Sequence, residues 1–356
     1  MDIKELFKIA VKEKASDLHL LEGVPPTFRI DGFLKFLTGY PGLKPEEIEE
    51  MIFSLLTPSQ KELLIANREL DFSFDVDGEG PRGKIGRFRT NLYYQRRFLS
   101  GAFRLLPPDI ISLEGLHLPQ TLHSFSDLTQ GLVLITGPTG HGKSTTLASM
   151  INEINLKRAA HIITIEDPIE YVYPEGKSII SQREMGIDTH SWDLALKSAL
   201  REDPDVVLVG EMRDPETIAA AITIAETGHL VFSTLHTNSA AQSIDRIIDS
   251  FQATQQAQVK IQLAATLKGV VSQRLLPMIN GGRVPAVEVL LGTSAVSSII
   301  REGKTHLIDS VIQTSKDKGM IGIDSSLAAL VLSGTISLET GKSYSLHQED
   351  FLRMVG

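Results

Sequence analysis

The run Gly137-Pro138-Thr139-Gly140-His141-Gly142-Lys143-Ser144 carries the chemistry most plainly written in this chain. It fits G-x-x-x-x-G-K-[ST], a pattern that holds a nucleoside triphosphate. The glycines let the backbone wrap closely, so that consecutive N–H groups point at phosphate oxygens, and the helix that follows adds its positive N-terminal end. Lys143 would reach the β- and γ-phosphates and the Ser144 hydroxyl would ligate Mg²⁺; the nucleotide-binding set runs from Gly137 through Thr145. A chain of this length meets the pattern by accident on the order of 1% of the time.

Further polar residues stand at the ends of apolar runs. Ile162-Ile163-Thr164-Ile165 leads into Glu166-Asp167 and is broken by Pro168. Glu166 could polarise an attacking water, with Asp167 or Glu170 orienting neighbours; a solvated turn would look the same. Val206-Val207-Leu208-Val209-Gly210-Glu211 resembles a Walker B strand, whose carboxylate holds the Mg²⁺ shell directly or through water. In Thr227-Gly228-His229-Leu230-Val231-Phe232-Ser233-Thr234-Leu235-His236, two histidines flank a buried run. His236, at the polar end beside threonines, is expected to sense the γ-phosphate. Without a matching carboxylate or thiol at ligand spacing, a histidine metal site is not expected. Arg89, Arg104 and Arg201 are candidates for the cation that speeds phosphoryl transfer by 10³–10⁵, against an ordinary role in surface ion pairs.

These side chains need elements to carry them. Leu132–Thr136, His161–Glu166, Val206–Gly210 and Leu230–Leu235 are nearly continuous apolar runs, as parallel strands buried on both faces require. Their polar residues fall at the C-terminal strand ends, where open α/β sheets bind ligands. Residues 1–106 read as a separate small α/β domain. Ile3 to Lys14 is helix-compatible, with Leu6, Ile9, Ala10 and Glu13 at helical spacing. Asp17–Leu20 and Thr27–Ile30 alternate like strands, Asp31-Gly32 is a hairpin turn signal, and Pro45 opens a helix through Leu56. Leu70–Asp75, Gly86–Leu92 and Gly101–Leu105 alternate with period two, predicting an antiparallel sheet. Pro107-Pro108 interrupts the pattern. Residues 107–130 are expected to be a linker with one short helix, 131–356 the nucleotide-binding domain, and the part beyond about Val259 mainly helical.

The 356 residues are enough for two domains with full cores. Hydrophobic content of 42% and charged content of 22% are those of an ordinary globular protein. No apolar stretch approaches the roughly 18 residues of a membrane span, and the start lacks the apolar core of a signal peptide. With no cysteine, disulfides and thiolate metal sites are excluded, which fits a cytoplasmic protein. A net charge of −9 argues against nucleic acid as a partner.

Taken together the segments resemble the secretion ATPases, most closely the type IV pilus retraction ATPases, the PilT family. The resemblance rests on Ala15-Ser16-Asp17-Leu18-His19-Leu20, Pro25-Pro26…Arg29-Ile30-Asp31-Gly32, the phosphate loop and the acidic box with Glu166. It continues through Glu202-Asp203-Pro204-Asp205…Gly210-Glu211-Met212-Arg213-Asp214, the box ending Thr234-Leu235-His236-Thr237, and Val271-Ser272-Gln273-Arg274-Leu275-Leu276. It implies a PAS-like α/β N-terminal domain, a RecA-like P-loop ATPase domain with a helical C-terminal part, and a homohexamer that hydrolyses ATP with Mg²⁺. It further implies Glu166 as general base and Glu211 as the Mg²⁺ and water carboxylate, with Ser144 on the same ion. His229 and His236 would then lie near the phosphates, and Arg89, Arg104 and Arg201 would complete the site. The implied partner is the inner-membrane platform protein of the pilus, giving a cytoplasmic protein peripheral to that membrane. Assembly and type II secretion relatives usually carry a four-cysteine zinc module, absent here. The family's C-terminal Ala-Ile-Arg-Asn-Leu-Ile-Arg-Glu box stands here as Ala295-Val296-Ser297-Ser298-Ile299-Ile300-Arg301-Glu302, which leaves an accessory retraction ATPase, or a motor for a related pseudopilus system, as alternatives. A nucleic-acid translocase is the reading from another class; basic clusters with interleaved aromatic residues, which it would need, are missing.

Overall fold

The structure, a computed structural model, describes residues 2–30, 32–78, 83–106 and 109–356. The chain forms two compact units. One runs to Asp109 and includes Pro168–Val172; the other comprises Ile110–Asp167 and Tyr173–Gly356.

In the first unit the described elements are α1 (Ile3–Lys12), β1 (Asp17–Leu20), β2 (Thr27–Ile30), β3 (Phe33–Phe36), α2 (Pro45–Phe53), α3 (Pro58–Asn67), β4 (Glu69–Asp77), β5 (Lys84–Gln95) and β6 (Phe98–Leu106). The strands make a six-stranded antiparallel sheet in the order β3-β2-β1-β6-β5-β4. Helix α1 turns Ile3, Leu6, Phe7 and Ala10 inward, the i, i+3, i+4, i+7 stripe of a half-buried helix. Phe7 meets Phe88 at 4.4 Å and Phe103 at 5.4 Å between ring centres, so aromatic side chains from helix and sheet form the heart of this core. Edge strand β3 is different: Phe33 and Phe36 are 73% and 63% exposed. The hairpin signal Asp31-Gly32 and the Pro107-Pro108 break fall wholly or partly outside the described residues.

The second unit holds α4 (His123–Ser126), β7 (Gly131–Thr136), α5 (Lys143–Lys157), β8 (His161–Glu166), β9 (Ile179–Glu184), α6 (Trp192–Ala199), β10 (Val206–Val209), α7 (Pro215–Glu226), β11 (Leu230–Leu235), α8 (Ala240–Asp249), α9 (Ala253–Thr266), β12 (Leu267–Pro277) and β13 (Arg283–Leu291). Helices α10 (Ser294–Glu302), α11 (Ile308–Thr314), α12 (Ile323–Leu332), α13 (Leu338–Tyr344) and α14 (Gln348–Val355) follow. Its seven-stranded sheet has the order β13-β12-β7-β11-β10-β8-β9. From β12 to β9 neighbouring strands run parallel, and only the β12–β13 pair is antiparallel. Strands β7, β10 and β11 are buried along their whole length, which is why they read as unbroken aliphatic runs.

One expectation changes and another gains detail. Residues assigned to a linker contribute Leu113, Leu118, Leu122 and Phe125 to the core around Val133 and Ile135, because their apolar side chains cover one face of β7. The part beyond Val259 is mainly helical, as expected, and also holds a strand pair: Leu267–Pro277 and Arg283–Leu291 pair over Gly269↔Leu291 to Pro277↔Arg283. Valines at 270, 271, 284, 287 and 289 suit a pleated surface, and Gly281 and Gly282, at φ of 83° and 79°, close the hairpin.

Candidate active site

Strand β7 ends at Thr136, and the glycine-rich bend turns the chain into α5. Gly140 and Gly142 have φ of 80° and 83°, the left-handed region where a side chain is strained. Lys143 begins α5 and is only 8% exposed. A buried ammonium must be answered by acceptors; Lys143 Nζ donates to the Gly137 carbonyl at 2.8 Å and the Pro138 carbonyl at 3.1 Å. The cation is thus folded over its own loop, where an incoming phosphate oxygen would compete for it.

Parallel register brings other strand ends to the same edge. Leu235 of β11 lies beside Thr136 of β7, and Val209 of β10 beside Ser233 of β11. His236, one residue past β11, has Nδ1 at 3.5 Å from Lys143 Nζ and 3.4 Å from Thr139 Oγ1. Its Nε2 lies 3.5 Å from Glu211 Oε2, and Arg213 meets the other Glu211 oxygen at 2.6 Å. Lysine, histidine, glutamate and arginine therefore form one contact chain across the mouth of the loop. With Lys143 a donor only, the neutral ring that fits presents a bare Nδ1 and an Nε2–H toward Glu211.

Glu166 closes β8 at this edge, beyond β11 and β10, so three strand spacings of about 4.8 Å separate β8 from β7. Thr164 Oγ1 donates to Glu166 Oε1 at 2.6 Å, and Gln182 Nε2 approaches the same oxygen at 3.3 Å. The chain after Asp167 contributes Pro168–Val172 to the first unit, where Arg87 Nε donates to the Ile169 carbonyl at 3.2 Å.

Some sequence-predicted residues are not brought together. His229 precedes β11 at the opposite end of the sheet: its carbonyl accepts from Gly131 N at 3.0 Å, and its Nδ1 lies 3.0 Å from Thr227 Oγ1. The length of β11 puts it roughly 20 Å from His236. Arg201 also belongs to that far edge, in the turn from α6 to the start of β10, where Asp205 N donates to the His161 carbonyl. Within one chain, then, neither reaches the phosphate loop, because a strand cannot deliver both of its ends to the same place. Arg89 and Arg104 face each other as a cross-strand pair on β5 and β6 of the first unit. Arg89 Nη2 meets Asp71 at 3.1 Å and Arg104 Nε meets Asp17 at 3.0 Å.

Two residues at the site have no role in the sequence analysis: Gln273, named there only within the Val271–Leu276 box, and Thr146. Gln273 Nε2 donates to the His141 carbonyl at 2.9 Å, and Thr146 Oγ1 donates to Gln273 Oε1 at 2.8 Å. The available signal was a polar triplet, Ser272-Gln273-Arg274, set between Val270-Val271 and Leu275-Leu276, since a buried amide is kept where both of its ends are bonded.

A family profile described as "Type II/IV secretion system protein" matches residues 111–330. The chain is 45% identical over 351 residues to the "Type IV pilus retractation ATPase PilT" of Pseudomonas aeruginosa, covering 99% of this chain and 100% of that protein. It is 38% identical over 356 residues to the "Type IV pilus ATPase PilU" of the same organism, covering 100% of this chain and 91% of the other. The crystal structure of the pilus retraction motor PilT with bound ADP superposes with a TM-score of 0.92 at 46% identity, over 99% of each chain. The expected fold class, a PAS-like α/β domain plus a RecA-like P-loop ATPase domain with a helical C-terminal part, is thereby met. With strand order, phosphate loop and full-length likeness in agreement, the chain belongs to the type II/IV secretion system protein family, on its PilT-type pilus retraction ATPase branch.

Proposed function

We propose that this chain is a Mg²⁺-dependent ATPase that works as a homohexameric motor for type IV pilus retraction. The observation that carries this reading is the Lys143–His236–Glu211 contact chain at the phosphate loop, in a chain that matches a pilus retraction ATPase end to end. Backbone N–H groups of residues 137–145 and the Lys143 ammonium gather the triphosphate, which displaces the loop carbonyls now bonded to Lys143. His236, poised between lysine and glutamate, reads the terminal phosphate. Glu166 is the general base that takes the proton of the attacking water, with Thr164 and Gln182 holding its carboxylate in place.

The donors present suit magnesium, a hard cation that takes one or two protein oxygens and completes its shell with substrate phosphates and water. Ser144 and Glu211 would hold it, and among the described residues no cluster of three or more His, Asp or Glu side chains offers an all-protein site. Bound there, it would neutralise charge developing on the transferred phosphoryl group. Among the described residues no helix is long and apolar enough to cross a membrane, so the platform protein of the pilus would hold the motor at the cytoplasmic face.

Lys143→Ala and Glu211→Ala are expected to lower steady-state ATP turnover by at least about 100-fold, as removal of phosphate and metal contacts does. Glu166→Gln should lose turnover comparably yet bind ATP with unchanged affinity, because only the base is neutralised. Phosphate-release assays and equilibrium nucleotide binding check both, and near-normal hydrolysis in Lys143→Ala sinks the assignment. The accessory-ATPase reading is favoured by Ser297-Ser298 in α10, where Ser297 Oγ donates to the Ala264 carbonyl of α9 at 2.7 Å. Complementation of a retraction-deficient strain separates the two: full ATPase activity without restored twitching supports the accessory role.

A further inference from the structure

Glycines in a phosphate loop are ordinarily explained by the anion they approach. Here two of them are also constrained from behind. Strand β12 runs parallel to β7 with Ser272 beside Thr136, so the next residue, Gln273, lies against the start of the loop. A Cβ on Gly137 would fall 2.3 Å from the Gln273 carbonyl oxygen, and one on Gly142 would fall 2.8 Å from Gln273 Nε2. The loop therefore rests on Gln273 at both of its ends.

The Gln273 side chain is 3% exposed and both ends of its amide are engaged. Nε2 holds the His141 carbonyl in the middle of the bend, and Oε1 takes the Thr146 hydroxyl from the first turn of α5. Two residues along the same strand, Leu275 N donates to His141 Nδ1 at 3.0 Å, which requires the neutral ring. Burial holds His141 below its ordinary pKa, and the charges of Lys143, Arg274 and Arg283 act in the same direction. An apolar residue of similar volume would fill the same space but leave the His141 carbonyl and the buried Thr146 hydroxyl without this partner. What the amide adds is a bridge between bend and helix, with donor and acceptor used at opposite ends.

We infer that Gln273 is a positioning residue for ATP hydrolysis, whose amide keeps residues 137–142 in the open bend that aims backbone N–H groups at the phosphates before nucleotide arrives. The inference rests on the ATPase reading above. Preorganisation of this kind chiefly affects binding, since a bound triphosphate can itself impose the bend.

The test uses the full-length protein, with steady-state ATP hydrolysis and equilibrium binding of a fluorescent ADP analogue. Gln273→Met removes both hydrogen bonds at nearly constant volume. It should raise KM and the ADP Kd about tenfold, the effect of losing one or two buried bonds, with kcat within about twofold of wild type. A merely structural defect would instead lower apparent kcat, through loss of folded protein, at unchanged KM. Thr146→Val should move the same constants in the same direction, and the double variant should be no worse than Gln273→Met, because the two changes break a shared bond. Multiplying losses, or kinetics within twofold of wild type for Gln273→Met, overturn the inference. If that variant fails to fold, Thr146→Val carries the test, and unaltered KM and Kd there have the same force. A wild-type protein that neither binds nor hydrolyses ATP overturns the ATPase reading together with this one; an active wild type with an indifferent Gln273 overturns this one alone.

Discussion

Burial disfavours the charge of a carboxylate unless something answers it, and Glu288 shows how that balance falls. It sits in β13, nearly inaccessible to solvent. Desolvation pushes its pKa from 4.5 up to about 7, against the Ala240 N–H and the charge of Arg274, with Asp309 and Asp324 adding to the rise. Ala240 N, at the start of α8, donates to Glu288 Oε1 at 2.7 Å, so the acceptor is needed whether or not the group is charged. The unfolded chain releases this proton near pH 4.5 and the folded one near 7. Between those values the folded state holds more protons, and stability falls as pH rises through the window. The full loss above pH 7 is about 3 kcal/mol, from about 1.36 kcal/mol per pH unit. Glu288→Gln keeps an acceptor for Ala240 and has no proton to lose. It should melt with wild type at pH 4, below the window, and roughly 5 °C above it at pH 8, as scanning calorimetry at the two pH values would show; equal melting points at pH 8 would contradict the burial argument.

At the level of elements, β12 connects regions that are far apart in sequence. Its Gln273 supports the phosphate loop, its neighbour Arg274 donates to the Tyr344 carbonyl at the end of α13, and Leu276 is buried among α12 and α14 side chains. Little of this was legible in the sequence, and the reason is physical. Strand β7, the phosphate loop and α5 are contiguous and each has a local signature, so spacing alone revealed them. The mixed segment Leu267–Leu276, with Lys268, Gly269, Ser272, Gln273 and Arg274 among its aliphatic residues, has no clear period of its own, and its pairing with β7 and β13 makes it a strand. The Gln273–His141 bond spans 132 residues, beyond any local pattern. The acidic strand ends were legible for a related reason: parallel sheets collect their C-terminal ends at one edge, so Glu211 and His236 could be grouped before any distance was known. The same rule, applied to the other end of β11, would have removed His229 from that group.

At the scale of the whole molecule, the sheet of the second unit carries predicted site residues at both of its ends. Glu166, Glu211 and His236 stand at the end that bears the phosphate loop, whereas His229 and Arg201 stand at the other. If the far-edge residues serve hydrolysis, a neighbouring subunit must receive them. Mixing distinguishes the cases. A Lys143→Ala subunit retains His229, and a His229→Ala subunit retains a sound phosphate loop, so in the proposed hexamer a mixture contains interfaces with neither lesion. Turnover of the mixture should exceed that of either variant alone several-fold if His229 acts across subunits, and should equal their average if it acts only within its own chain. The same molecule has a vulnerable border. Among the described residues no strand pairs with the outer side of β3, and Phe33, Leu34 and Phe36 are open to water. Such a border can be extended by a strand from any other copy. Concentrated preparations should accordingly aggregate through this hairpin, and Phe33→Lys with Phe36→Lys should raise the concentration at which light scattering first appears while leaving ATP turnover unchanged. How much protein can be kept in solution is thus governed less by the motor's core than by one short ribbon at its rim.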